Sequence, residues 1–138
     1  MQGIESLSSP RGITVFNRRI TVKLFKWDEM PEEHVHELFS RRFVSGEQMT
    51  MARIFLKKGC LVPTHNHESE QLTTVFTGAL KFLIDGQEIV VRDGETLLIP
   101  AFVYHSAEAL EDTNEMDIFS PIRVDWIEGT DDYLRLKK

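Results

Sequence analysis

The chain has a single cysteine, Cys60, among 138 residues. An internal disulfide is therefore excluded, and with it the small stapled scaffolds that depend on one. Beside Gly59, Cys60 reads as a small buried filler rather than a nucleophile. No stretch approaches the roughly eighteen consecutive apolar residues of a membrane-spanning helix. The start, Met1-Gln-Gly-Ile-Glu5, lacks the basic and then apolar pattern of a secretory signal, so a cytoplasmic protein is the expectation. Positive charge is scarce as well: 16 Lys and Arg face 22 Asp and Glu, a net charge of -6. Without a basic patch, neither nucleic acid nor an anionic membrane surface is an expected partner. Internal repeats and low-complexity tracts are absent, and there is almost no helical period.

What is present is a series of short β-prone segments separated by glycine turns. The length supports one domain with a sizeable core. Residues 1–12, with Ser8, Ser9, Pro10 and Gly12, read as a flexible polar arm, and residues 13–138 as the folded domain. Strands are expected over 13–16 and 20–27, followed by a charged connection around Pro31. From residue 38 onward the pattern reads as hairpins: 38–44 and 48–56 flank Ser45-Gly46-Glu47, and 72–76 joins 79–84 through Thr77-Gly78. Asp85-Gly86 turns into 87–91, and Arg92-Asp93-Gly94 precedes 96–99. Strands of this length and spacing imply an all-β antiparallel barrel or sandwich, whose mouth can hold a ligand.

The organising stretch is Gly59-Cys-Leu-Val-Pro-Thr-His65-Asn-His67-Glu-Ser-Glu-Gln71. In an extended chain His65 and His67 leave the same face, which makes half of a metal site. Gln71 is the candidate third donor after the turn, with Glu70 its main competitor and Glu68 a lesser one. His105 is the best-placed remaining histidine. Three imidazoles and an amide oxygen suit a divalent transition metal such as Ni, Zn, Fe, Mn or Co, rather than calcium or magnesium. The other pair, His34 and His36, lies in a dense run of charge with no later donor at matching spacing, and reads as solvated surface.

Two ordered motifs carry a family resemblance. Gly59, His65, His67, Gln71 and Gly78 are spaced like the first motif of the cupins, and Gly94, Pro100 and His105 like the second. Gln71 replaces the more usual Glu, and Phe102 stands where the second motif usually has Gly. The resemblance implies a single-domain cupin barrel, a double-stranded β-helix or jelly roll, often found as a homodimer. A neutral amide ligand leaves the metal its full double charge, which favours Lewis-acid over oxygen chemistry.

Beyond His105, Asp117, Phe119 and Arg123 fall within Asp-Ile-Phe-Ser-Pro-Ile-Arg. On a strand Asp117 and Phe119 share a face, and Arg123 can continue it past Pro121. A surface Asp–Arg pair around a core Phe is the structural alternative. With the four candidate ligands, this string resembles the KdgF-type, uronate-linearising cupins of pectin and alginate degradation. That resemblance implies a small carboxylated sugar as ligand and redox-neutral opening of 4,5-unsaturated uronates to linear keto-deoxyuronates. It also implies a metal held by His65, His67, Gln71 and His105, with Asp117, Phe119 and Arg123 serving catalysis and substrate placement. On chemical grounds Asp117 is the expected acid and base, Arg123 the carboxylate fork and Phe119 an apolar wall.

Two other functions use the same fold: a cupin dioxygenase, and a non-catalytic binder of small acids or sugars. Tyr104 is expected to pack away from the site, Trp27 and Trp126 to seal the barrel ends, and the charges of residues 125–135 to be solvated.

Overall fold

The computed structural model describes residues 21–135. The arm expected over 1–12 and the strand over 13–16 lie outside the described residues. Among those described, six strands form one sheet, in the order β1 (Glu33–His36), β2 (Phe39–Ser45), β3 (Thr50–Leu56), β10 (Thr113–Ser120), β5 (Glu70–Thr77) and β8 (Thr96–Ile99). Four more form the second: β4 (Leu61–His65), β9 (His105–Ala109), β6 (Ala79–Ile84) and β7 (Gln87–Arg92). Every pairing is antiparallel. The core joins the two sheets through Ile54, Leu56, Leu80, Phe82, Val91 and Phe119. This is the expected all-β jelly-roll barrel.

Strict alternation places the interior. In β3 Thr50, Ala52, Ile54 and Leu56 are buried, and in β10 so are Thr113, Glu115, Asp117 and Phe119. Three of the four inward residues of β10 are thus polar, which a core strand tolerates only where each group has a partner or a ligand.

The hairpins β2–β3 and β6–β7 form as expected. Asp85 at φ 52° and Gly86 at φ 78° supply the two positive φ angles of a two-residue turn whose twist matches its strands. Thr77-Gly78 is not a hairpin: β5 pairs with β10 and β8, whereas β6 pairs with β7 and β9, so the chain crosses between sheets there. A side chain at Gly78 would collide with Thr113 Oγ1 and the Asp112 carbonyl, which is why the crossing needs glycine.

The strand expected over 20–27 does not form in its described part, residues 21–27. Residues 21–26 join no ladder among the described residues, and Trp27–Glu29 is a 3-10 turn. β propensity without a neighbouring edge does not make a strand. Trp27 lines an outer groove with Arg42 and Arg53 rather than a barrel end, whereas Trp126 is buried against Phe43 and Phe119.

The tail also departs from expectation. After the short helix α1 (Val124–Glu128), Asp131 is wholly buried and pairs with Arg41 at 2.8 Å, itself stacked 4.1 Å over Trp126. Glu33 bridges Arg41 and Arg135, both at 2.9 Å. Arg41 and Asp131 meet where water is excluded and so bind one another instead of solvent, while the half-exposed Glu33 and Arg135 extend the cluster to the surface.

Candidate metal centre and its cavity

β4 delivers His65, the loop after it His67, and the first residue of β9 His105. Their ligand atoms lie within 4.8 Å of one another. Each ring is fixed by a carbonyl two residues away: His65 Nδ1 donates to Pro63 O at 2.8 Å, His67 Nδ1 to Ser69 O at 2.9 Å and His105 Nδ1 to Val103 O at 2.8 Å. A carbonyl can only accept, so the proton sits on Nδ1 and the Nε2 lone pairs are left free. Backbone carbonyls orienting imidazoles in this way are a common device of metal sites.

The electrostatics agree. Burial, then the facing His105, pushes His65 down to about 3; burial, then the Arg123 charge, pushes His67 down to about 4. Burial lowers His105 as well. All three are neutral at pH 7, the state that binds a metal.

Gln71 is buried at the start of β5, whereas Glu68 and Glu70 are exposed, so the competing carboxylates are out of reach. Its amide orientation follows from a chain of donors. Thr73 Oγ1 gives its proton to Asp117 Oδ1 at 2.7 Å and accepts from Gln71 Nε2 at 2.7 Å. Gln71 Oε1 therefore faces His67 Nε2 at 3.1 Å. Two lone-pair atoms confront each other, and His105 Nε2 is buried with no partner among the described residues. A divalent cation satisfies all of them, so the donor set fits a metal.

Asp117 lies level with Thr73, and Phe119 level with Gln71, because β10 and β5 are paired in that register. One step deeper is Glu115, hydrogen-bonded to Asp117 and fully enclosed. Burial, reinforced by the Asp117 charge, holds Glu115 well above the usual carboxylate range. Burial raises Asp117 too, although the hydrogen bonds from Glu115 and Thr73 oppose it. Ionising both would cost several kcal/mol per buried charge, so Glu115 keeps its proton and donates it towards Asp117.

Arg123 is not on the strand. It precedes α1, with its backbone N–H on Thr50 Oγ1 at 3.0 Å. Its guanidinium lies 4.6 Å over the Phe119 ring. Nε and Nη2 grip Asp125 at 2.9 and 2.8 Å, and Nη2 also donates to the Tyr133 hydroxyl at 2.7 Å. Burial opposes the arginine charge, but Asp125 outweighs it and raises the pKa.

His65, Gln71, His105, Asp117, Phe119 and Arg123 line one cavity, and His67 borders it through Phe119 and Gln71. Sequence reasoning did not single out Glu115, Thr73, Asp125 or Tyr133. Alternation offered a signal for Glu115, two residues before Asp117; nothing local pointed to Tyr133. Tyr104, just before β9, faces away from buried His105 as expected, but it is 63% exposed instead of packed. Phe102 adopts φ 66°, a conformation open to glycine at little cost; its N–H donates to His67 O at 2.8 Å and so ties the two histidine segments together.

A family model described as Cupin domain matches residues 52–120. The Pectin degradation protein KdgF of Dickeya dadantii (strain 3937) is 24% identical over 103 residues, covering 72% of this chain and 94% of that protein. The structure of KdgF from Halomonas sp. superposes with a TM-score of 0.70 at 26% identity, over 75% of this chain and 99% of that one. An RmlC-like cupin from Shewanella frigidimarina NCIMB 400 shares the fold, with a TM-score of 0.71 at 22% identity over 77% and 96% of the two chains.

Proposed function

The chain belongs to the cupin family, with KdgF proteins among its relatives, and from that premise we propose that it is a metal-dependent, redox-neutral enzyme that opens 4,5-unsaturated uronates to linear keto-deoxyuronates. The observation that carries the reading is the meeting of an acid, an aromatic wall and a guanidinium with the imidazoles of His65 and His105 in one cavity, bordered by the third imidazole, His67. A metal held by His65, His67, His105 and Gln71 supplies Lewis-acid polarisation of a substrate oxygen.

The chain's own residues account for the remaining steps. Opening the ring adds a proton to C4 and water to C5 of the enol ether. The resulting hemiketal then collapses, breaking the bond from C5 to the ring oxygen. A ketone remains at C5, and loss of water from C1 leaves the aldehyde, so the water consumed is returned. Asp117 is the group that gives and takes these protons, since burial raises its pKa and Glu115 and Thr73 hold it in place. Phe119 forms an apolar wall against the sugar. Arg123 attracts the uronate carboxylate, but not through the fork expected from sequence, because Asp125 already occupies its Nε–Nη2 edge.

The test is loss of double-bond absorbance on incubating unsaturated uronate with protein loaded with each of several divalent metals. Decay no faster than the protein-free control rejects the reading. Oxygen uptake would instead identify an oxidative cupin.

A further inference from the structure

Arg123 carries five N–H donors in a rigid plane. Asp125 takes Nε and one proton of Nη2, and the other Nη2 proton goes to the Tyr133 hydroxyl. Because Asp125 holds the Nε side, Tyr133 sits at the end-on edge of the guanidinium, where a second carboxylate would otherwise dock with both oxygens. Nη1 has no partner among the described residues, and neither does the proton of the Tyr133 hydroxyl. An approaching carboxylate therefore meets Nη1–H and, in place of Nη2–H, the phenolic O–H.

Tyr133 is fixed at this edge from three sides. Its ring stacks on His65 with centroids 4.5 Å apart and planes 29° apart, and it faces the same cavity as His105 and Asp117. Its backbone belongs to the 3-10 turn Asp132–Arg135, anchored by the buried Arg41–Asp131 pair and by Arg135 on Glu33. Accepting from a guanidinium polarises the hydroxyl and strengthens it as a donor.

We infer that Tyr133 is a specificity-determining residue of the cavity: its hydroxyl and Arg123 Nη1 together hold the carboxylate of a sugar acid and discriminate against neutral sugars. This rests on the uronate reading above and adds a contact to it.

The experiment compares wild type with Tyr133→Phe, which keeps the ring on His65 and removes only the hydroxyl. Galacturonate and galactose serve as probes in calorimetric titrations, and unsaturated uronate is the substrate for kinetics. The expected result is roughly ten-fold weaker galacturonate binding in the variant, unchanged galactose binding, and a KM raised about ten-fold with kcat altered less than about three-fold. Metal content and Tm, read for both proteins, register the fold. A second measurement needs no variant: the chain has two tyrosines, and galacturonate produces a tyrosine difference spectrum in the wild-type protein that galactose does not. Equal galacturonate binding by wild type and Tyr133→Phe, or no tyrosine signal on galacturonate binding, overturns the inference. If galacturonate binding depends on Tyr133 while no unsaturated uronate is opened, the inference stands and the proposed reaction fails. If the ring is opened with the same KM by both proteins, the reverse holds.

Discussion

Gln71 Oε1 stands 3.1 Å from His67 Nε2, and neither atom has a proton to offer the other. The relation is imposed from both ends: Ser69 O takes the Nδ1 proton of His67, and Thr73 turns the Gln71 amide nitrogen inward. Such a pair is repulsive alone and attractive around a cation. Two donors that sequence spacing proposes separately are in this way oriented by groups that are not themselves ligands.

A carboxylate at this position should bind the ion more tightly. Gln71→Glu places a negative charge beside three neutral imidazoles, and chelator competition is expected to show divalent-metal affinity at least about ten-fold higher than wild type, the scale on which one electrostatic contact is felt at such sites. Uronate opening should fall, because the added charge weakens the Lewis acid. Equal affinities in the two proteins would remove Gln71 from the ligand set.

Acid should destabilise the metal-free protein through the same histidines. His65 and His67 have folded-state values of about 3 and about 4 against 6.5 when free. The unfolded chain thus takes up protons first, so the contribution is fully present above pH 6.5 and is lost as pH falls through 4 towards 3. Calorimetric Tm values measured without metal should decline over that window. His65→Gln and His67→Gln should each flatten the decline, and a slope untouched by both would contradict the buried neutral imidazoles.

Glu115 should behave in the opposite sense. Its folded-state pKa is raised, so its contribution is full below about 4.5 and is lost as pH rises towards the folded value. Glu115→Gln keeps the shape and a donor for Asp117, and should change stability at low pH by no more than about 1 kcal/mol. Denaturant titrations should show the variant gaining on wild type as pH rises. In kinetics, the acid limb of the pH profile should move, since the Glu donor and its charge coupling to Asp117 are altered together. A protonated carboxyl band at pH 7 in infrared difference spectra, missing from the variant, would show the proton directly.

The buried pair in the tail should matter to stability and to the site at once. Asp131→Ala leaves Arg41 enclosed with Glu33 as its remaining anion, a change expected to cost about 3 kcal/mol or more. Because the 3-10 turn bearing Tyr133 begins beside Asp131, the same variant should also weaken galacturonate binding. Unaltered stability would mean that Glu33 alone suffices for Arg41.

Much of the fold was legible because alternation and turn chemistry act over a few residues. The Asp85-Gly86 hairpin, the β2–β3 pair and the shared face of Asp117 and Phe119 all follow from a period of two. Thr77-Gly78 looked like another hairpin because a turn sequence does not state which partner the next strand will choose. Alternation likewise put Glu115 on the face of Asp117, but whether that face was dry depended on Ile54 and Val75 across the ladder.

By itself, the sequence determined the chemistry of the donors: His65, His67, Gln71 and His105 stand at spacings that local backbone geometry can bring together, on strands their neighbours favour. Tertiary structure decided the protonation and the pairing. Which nitrogen is bare, which carboxyl keeps its proton, and how Arg123 is divided between Asp125 and Tyr133 depend on contacts between residues far apart in the chain. The physical reason is that ionisation and hydrogen-bond direction respond to local solvation and to nearby charges, and both come into existence only when distant strands and the tail pack together.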